Sequence, residues 1–356
     1  MKPLTTALID TFNHERYIEQ ALVSVLEQGL SPSELEIVVV DDGSTDRTPE
    51  IIQKFLPRVK YVRKKNGGQA SAFNAAFPEC SGEIVAFLDG DDWFAKGKLE
   101  AVLHALELYP EVSAVGHGYY EFDEETKKAQ VCAPPEKTIL HLATPDAARA
   151  ALSGWKFLLL GALTVRRKVM ERIMPIPEAL VFYADNPFQA AAMAMGALVL
   201  ETPLSYYRLH AHNLHSIDPE NTIKMRRKYE MLDLSWGQVH ALLLRLGVPE
   251  ACVSELLDPY RVYLNRLSLR TFGGSRLKTL QTEMLDLRSA YKNPSLGYRL
   301  FKYFVMAPAT LALSPRQFYG LRDWYTQKNL ARFREWLGET DPMAHDPKIR
   351  APGLKS

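Results

Sequence analysis

Apolar positions in the first hundred residues follow two alternating patterns. Residues 4–12, LTTALIDTF, form a short run that reads as a strand. Behind it Ile18, Ala21, Leu22, Val25 and Leu26 fall at i, i+3, i+4, i+7 and i+8, the stripe of a helix packed along one side. EIVVVDDGSTD is a continuous β-branched run closed by turn-forming residues, as expected for a strand buried on both faces. Thr48-Pro49-Glu50 predicts a helix start, with Thr48 as cap, Pro49 at the first helical position and Glu50 near the positive end. VKYV and EIVAFL predict a third and a fourth strand, separated by a helix that opens at GGQASAFNAAF. Strand and helix in alternation predict an α/β fold, a mostly parallel sheet covered by helices on both faces.

From about residue 216 the pattern turns helical: Leu277, Leu280, Met284 and Leu285 keep helix spacing, as do Phe318, Leu321 and Tyr325. This divides the chain into residues 1–215, a helical region 216–340, and a tail 341–356 whose prolines, charges and lack of periodicity predict disorder. Charge follows the same division. Residues 1–215 hold 21 Lys/Arg against 28 Asp/Glu, a net −7, and the rest hold 22 against 14, a net +8. The second part is therefore a candidate to face something anionic, such as a membrane surface. YRLFKYFVMAPATLALSPRQFYGLRDWYTQKN sets aromatics among Arg299, Lys302, Arg316 and Arg322. Packing on the rest of the protein or on another subunit is its expected role, peripheral membrane contact the alternative. No basic run points to nucleic acid, which is not an expected partner.

Cys80, Cys132 and Cys252 have no spacing suited to zinc or to a disulfide framework, which fits a reducing, cytoplasmic setting. The N-terminus MKPLTTALIDTF is too polar for a signal peptide. The longest uncharged stretches, Pro187–Leu200 and Tyr303–Pro315, fall short of the ~20 residues a spanning helix needs. The expectation is a cytoplasmic protein, soluble or peripheral at the inner face of the plasma membrane.

Two acidic clusters, Asp41–Asp42 and Asp89–Asp92, sit where predicted strands run out, the edge at which open α/β sheets bind ligands. Asp89 and Asp91 are two apart and point the same way if the chain stays extended. With the small Gly90 between them they suit a hard divalent cation, Mg²⁺ or Mn²⁺, whose charge would offset their mutual repulsion. A solvent-exposed acidic turn is the plainer alternative.

DTFNHERYIEQALVSVLEQ, VVVDDGSTD, KNGGQASAFNAAF and GEIVAFLDGDD, in that order, resemble the family 2 glycosyltransferases, inverting enzymes with the GT-A nucleotide-sugar-binding fold. The resemblance is strong over residues 4–120 and looser to about residue 215, through FYADNPF and YYRLHAHN. It implies that Thr11, Phe12 and Asn13 wall the nucleotide site, with Phe12 where a Tyr is usual and Asp10 where a Pro is common. Asp42 would accept a hydrogen bond from the base, while Asp41 braces the loop. Gly67, Gly68, Gln69 and Asn74 would shape the diphosphate and sugar pocket, the loop amides facing anionic groups. Phe73 replaces the Arg that many relatives carry. Asp89, with Gly90 beside it, would hold ribose and metal, and Asp91 the metal; Asp92 would ligate directly or orient a metal-bound water. Asp185 would be the base for the acceptor hydroxyl, with Ala184 where an acid is common; a plain helix cap is the other reading of Asp185. His210 would contact metal or diphosphate, ahead of His212 and His215. Arg208 would bind phosphate or anchor its loop, and Trp155 would border the acceptor pocket or lie in the core.

The function implied is metal-dependent, inverting transfer of a sugar from a nucleotide-sugar, a UDP-sugar first, to a hydroxyl of a glycan, glycolipid or other acceptor, in cell-surface polysaccharide or glycolipid assembly. A nucleotidyltransferase is a second reading, although DTFNHERY stands where its glycine-rich basic loop would be. A phospho-acceptor receiver fused to a helical module and a non-catalytic nucleotide-binding scaffold of the same fold are the non-enzymatic readings.

Overall fold

The computed structural model describes residues 5–210, 222–289 and 296–327; His212, His215 and the tail 341–356 lie outside them. A single ten-stranded sheet runs in the order β3-β2-β1-β4-β9-β6-β10-β5, with β7 on β6 and β8 on β10. The strands are β1 Thr5–Thr11, β2 Leu35–Asp41, β3 Lys60–Arg63, β4 Ile84–Asp89, β5 Trp93–Phe94, β6 Ala114–Asp123, β7 Lys128–Cys132, β8 Thr138–Leu140, β9 Thr164–Arg166 and β10 Ala197–Leu209. β1, β2, β3 and β4 are mutually parallel, and β6 and β10 share their direction because β4 and β6 are both antiparallel to the short β9 between them.

Side-chain alternation explains how one sheet builds two hydrophobic layers. Leu8, Val38, Val40, Val85 and Phe87 point to one face. Ala7, Ile9, Ile37, Val39, Ile84, Ala86 and Leu88 point to the other. Helices α1 (Ile18–Leu26), α2 (Thr48–Gln53), α3 (Gln69–Ala76), α4 (Lys98–Leu108), α5 (Pro145–Ala151), α6 (Arg167–Ile173) and α7 (Asn186–Ala194) connect the strands. The predicted stripe of α1 is buried at Ile18, Ala21, Leu22 and Val25. The start of α2 differs from expectation: Thr48 is already helical, and its amide is capped by the Asp46 carboxylate at 3.0 Å. An Asp two residues upstream is the stronger acceptor for that amide.

Phe73 is a core residue. It is fully buried and meets Phe87 and Phe188 edge-on, at centroid separations of 5.9 and 5.3 Å. Phe73→Ala is expected to cost about 3–5 kcal/mol in urea unfolding, the usual range for emptying such a site. An unfolding midpoint equal to wild type would contradict this placement.

The helical region does not stand apart. α8 (Thr222–Arg245) and α9 (Glu250–Phe272) pack against α7 and α5. Trp236 stacks on Tyr260 at 3.8 Å, and Trp155 meets both at 5.3 and 5.6 Å. Trp155 is thus core, and one apolar cluster runs from Leu8 to Leu264 across the expected division at 215. Beyond it α10 (Arg276–Ser289) and α13 (Pro315–Gln327) pack on α9, and α12 (Ala307–Ala312), which follows α11 (Leu296–Phe301), packs on α10. Leu269, Phe318 and Tyr319 form a small second centre there. Among the described residues no helix is long and apolar enough to cross a membrane.

Candidate functional site

Register places the acids. Asp10 pairs with Asp89 across β1 and β4, and Thr11 with Asp41 across β1 and β2, so all four lie at the carboxyl-terminal edge of the sheet. Continuing the alternation, Asp10 follows Leu8, Asp42 follows Val38 and Val40, and Asp89 follows Val85 and Phe87. These three carboxyls therefore emerge on one face, at the rim of a cavity of about 970 Å³.

Tight loops hold the rim in shape. Asn13, at φ 58°, donates its amide to Ser44 Oγ and accepts the Thr45 amide, at 2.9 and 2.8 Å, tying the loop after β1 to the loop after β2. Phe12, 42% exposed, lies on the cavity wall and not in the core, beside Thr11 and Asn13. Gly90 allows a close approach: a Cβ there would fall 2.7 Å from Thr11 Oγ1 and 2.8 Å from His14 Nδ1.

The glycine loop is arranged differently from the expected anion cradle. The Gly67 and Gly68 amides donate to Asp42, at 3.0 and 2.7 Å, and Lys64 Nζ reaches the same carboxylate at 2.7 Å. The Gln69 and Ala70 amides donate to the Val181 and Leu180 carbonyls. The first amides of α3 are thus satisfied by protein, and Asp42 serves chiefly to hold the loop. Gly68, at φ +89°, allows Val181 to pack against it, and Gly68 and Gln69 still face the cavity. Asn74 does not line the cavity: the Ile176 backbone occupies both ends of its amide, at 2.8 Å each. It fastens a loop instead of shaping the sugar pocket. Asp41 accepts the Ser44 amide and the Tyr61 hydroxyl, each at 2.7 Å.

The DGDD turn is anchored from β10. Arg208 donates its backbone amide to Asp92 Oδ1 (2.8 Å) and its Nε to the Asp91 carbonyl (2.7 Å), and its guanidinium also binds Gln20 and Glu124. It lies over the rings of Tyr17 and Trp93, 4.6 and 4.5 Å from their centroids. Arg208 is therefore an anchor, not a phosphate contact. Behind the turn, buried Lys98 donates to the Gly161 carbonyl at 2.9 Å and fixes that part of the wall.

The cluster's electrostatics are uneven. Burial, reinforced by the charges of Asp10, Asp92, Asp91 and Asp185, raises Asp89 well above the ordinary carboxylate range. Burial and then the Asp91 charge do the same to Asp92. Burial would also raise Asp91, but the His14 and His210 imidazoles outweigh it and hold its carboxylate below the ordinary range. His210 Nε2 lies 3.0 Å from Asp91 Oδ2 and His14 Nε2 3.9 Å from it. Burial pushes Asp10 up to about 7, with the Gln69 hydrogen bond opposing and the Asp91 charge assisting. Asp10 Oδ1 is buried with no hydrogen-bond partner among the described residues.

A folded-state pKa raised from 3.8 to about 7 means that Asp10 binds a proton on folding. Its contribution is present at low pH and lost as pH rises through 7. Asp10→Asn is expected to gain on wild type by about 1–2 kcal/mol in metal-free unfolding between pH 5.5 and 8, a value discounted for its opening onto the cavity. A difference that stays constant across that window would contradict this assignment.

Asp185 precedes α7 but makes no capping hydrogen bond; its carboxylate faces the cavity and accepts the Gln189 amide at 3.2 Å. The same cavity is lined by Arg16 and, from α8, by Lys224, Arg227 and Lys228. These cations and His14 were not singled out in the sequence. Lys224, Arg227 and Lys228 lie on one helical face, a spacing that marks a shared face without saying what it meets.

The donor chemistry suits a divalent cation: carboxylate oxygens with an imidazole, uncompensated negative charge, and an unpartnered buried oxygen on Asp10. Asp89, Asp91, Asp92 and His210 are the residues that could hold it, of which Asp91 and His210 are in direct contact. Among the described residues no three such side chains are already drawn into a closed ligand shell.

Comparison with known proteins identifies the family and the fold. The family model described as Glycosyl transferase family 2 matches residues 6–173. An uncharacterised glycosyltransferase of Nostoc sp. is 30% identical over 258 residues, 68% of this chain and 76% of the relative. The uncharacterised glycosyltransferase EpsJ of Bacillus subtilis is 28% identical over 76% of this chain and 77% of its own. Among solved structures, residues 1–349 of Staphylococcus aureus TarS in complex with UDP superpose with a TM-score of 0.57 at 18% identity, covering 91% of both chains, a likeness of fold.

Proposed function

The chain belongs to glycosyl transferase family 2, and from that premise we propose that it transfers a sugar, with inversion, from a UDP-sugar to a hydroxyl acceptor in a divalent-cation-dependent reaction. Its identity as a glycosyltransferase with a GT-A-type fold sets aside the nucleotidyltransferase and receiver readings.

The observation that carries the reading is one cavity lined by both acids and cations. Asp10, Asp89, Asp91, Asp92 and Asp185 share it with Arg16, Lys224, Arg227 and Lys228. A nucleotide-sugar needs both: cations for its diphosphate, and carboxylates for the cation and for the acceptor's proton. The base and ribose would rest against Phe12, Asn13 and Asp42. The diphosphate would lie between the α8 cations and the DGDD turn. A cation held by Asp89, Asp91 and His210 would supply neutralisation of charge on the departing nucleoside diphosphate. Asp185, free of any capping duty, would accept the proton of the attacking hydroxyl.

UDP is the first donor to test because TarS, a poly(ribitol-phosphate) β-N-acetylglucosaminyltransferase 35% identical over 27% of this chain, has been solved with UDP and with UDP-GlcNAc. A glycan or glycolipid hydroxyl is the acceptor class, and assembly of a cell-surface polysaccharide or glycolipid the setting, in the cytoplasm. The deciding experiment is thermal unfolding with UDP, GDP, dTDP and CMP, each with and without Mn²⁺. UDP with Mn²⁺ is expected to raise Tm by on the order of a few degrees at a hundredfold excess over Kd. Stabilisation by none of the four would reject the donor site.

A further inference from the structure

The helical stretch 296–312 carries apolar side chains outward as well as inward. It comprises α11, one π-helical turn at Lys302–Met306 and α12. Its inward side carries Lys302 and Thr310, both buried, with Met306, Ala309 and Leu313 packed beside Leu269, Phe318 and Tyr319. Its outward side carries Leu300, Tyr303, Phe304, Val305 and Leu311, all exposed, with Phe304 at 74% and Tyr303 at 55%. Leu300, Phe304 and Leu311 recur at i, i+4 and i+11, so the exposed side chains form a stripe and not scattered single residues. Contiguous apolar surface of this kind on a protein marks a surface that meets something.

Charge in this part of the chain is sorted as well. Residues 261–322 contain eleven Lys or Arg and only two acids, Glu283 and Asp286. Both acids are buried in an ion-paired network with Arg266, Lys302 and Arg322. No described carboxylate of this stretch reaches the surface, whereas Arg270, Arg276, Lys278, Arg299 and Arg316 are exposed, as is Arg261, which pairs with Asp258 at 3.1 Å. Exposed aromatic and aliphatic side chains beside Arg299, in a region whose described exposed charges are cationic, match the boundary of an anionic bilayer: rings and alkyl groups enter the headgroup layer, and cations meet lipid phosphates. We infer that the face formed by Leu300, Tyr303, Phe304 and Leu311 docks the protein onto an anionic lipid surface. The inference is independent of which sugar or base the cavity takes.

The test is flotation of the full chain with phosphatidylcholine vesicles, alone or containing roughly 30 mol% phosphatidylglycerol. Wild type is expected to float with the anionic vesicles and roughly tenfold less with the neutral ones, and to be released as salt is raised. A variant with Tyr303→Ser and Phe304→Ser is expected to lose flotation while keeping its far-ultraviolet circular dichroism and urea midpoint, because both side chains are already in solvent. Arg299→Glu is expected to weaken it roughly fivefold or more, at about 1 kcal/mol per basic residue. Equal flotation on both vesicle types, flotation unchanged in the variants, or none at all would overturn the proposal. So would concentration-dependent dimerisation in sedimentation that the Ser variant abolishes, which would make a second copy the occupant.

Discussion

Asp185→Asn is expected to lower kcat by roughly two to four orders of magnitude, the usual worth of a positioned base, with KM for the donor little changed. The carboxylate faces the cavity, accepts from Gln189 at 3.2 Å and makes no capping hydrogen bond, so an isosteric amide leaves the start of α7 as it is. A structural role would instead show as a lowered unfolding midpoint with proportionate losses in kcat and kcat/KM. Steady-state kinetics with the donor identified by thermal unfolding, together with a urea curve, separate the two. A kcat within threefold of wild type would remove Asp185 from the mechanism.

Asp91→Ala is expected to abolish the Mn²⁺-dependent part of nucleoside diphosphate stabilisation and to cost roughly 10²–10³-fold in kcat. Asp91 is the one carboxylate of its cluster held in the charged form, by His14 and His210, whereas burial and mutual repulsion favour the protonated forms of Asp89 and Asp92. A cation entering the site meets Asp91 first as an ionised ligand. Removing it also takes from His210 and His14 the carboxylate they face, so a urea curve on the metal-free variant separates lost folding from lost cation binding. Retention of the full Mn²⁺-dependent shift in the variant would show that the cation, if bound, sits elsewhere.

The strands and the acidic edge were legible because both depend on local pattern. A β-branched run ending in DDGS or DGDD states where a strand is and where it stops, and parallel pairing then brings Asp10, Asp42 and Asp89 to one rim. Partners chosen by tertiary contact were not legible. Nothing near Asn74 in sequence indicates that Ile176 will take both ends of its amide, or that Asp42 and the 180–181 loop will use up the amides of the glycine turn. Phe73 in place of an expected Arg looked like a lost ligand, yet it closes an aromatic trio in the core. The α8 cations come from a segment that composition alone assigns to a separate module.

The Trp155–Trp236–Tyr260 contact has a practical consequence for anyone recombining such enzymes. A graft joined near residue 215 would exchange the α8 cations that line the cavity and at the same time leave Trp155 facing a foreign surface. The glycines at 273 and 274, with positive φ between α9 and α10, offer a seam that leaves this aromatic contact intact. Swapping at that point would transplant the outlying helices, and the surface they present, without opening the chamber in which the sugar is handled.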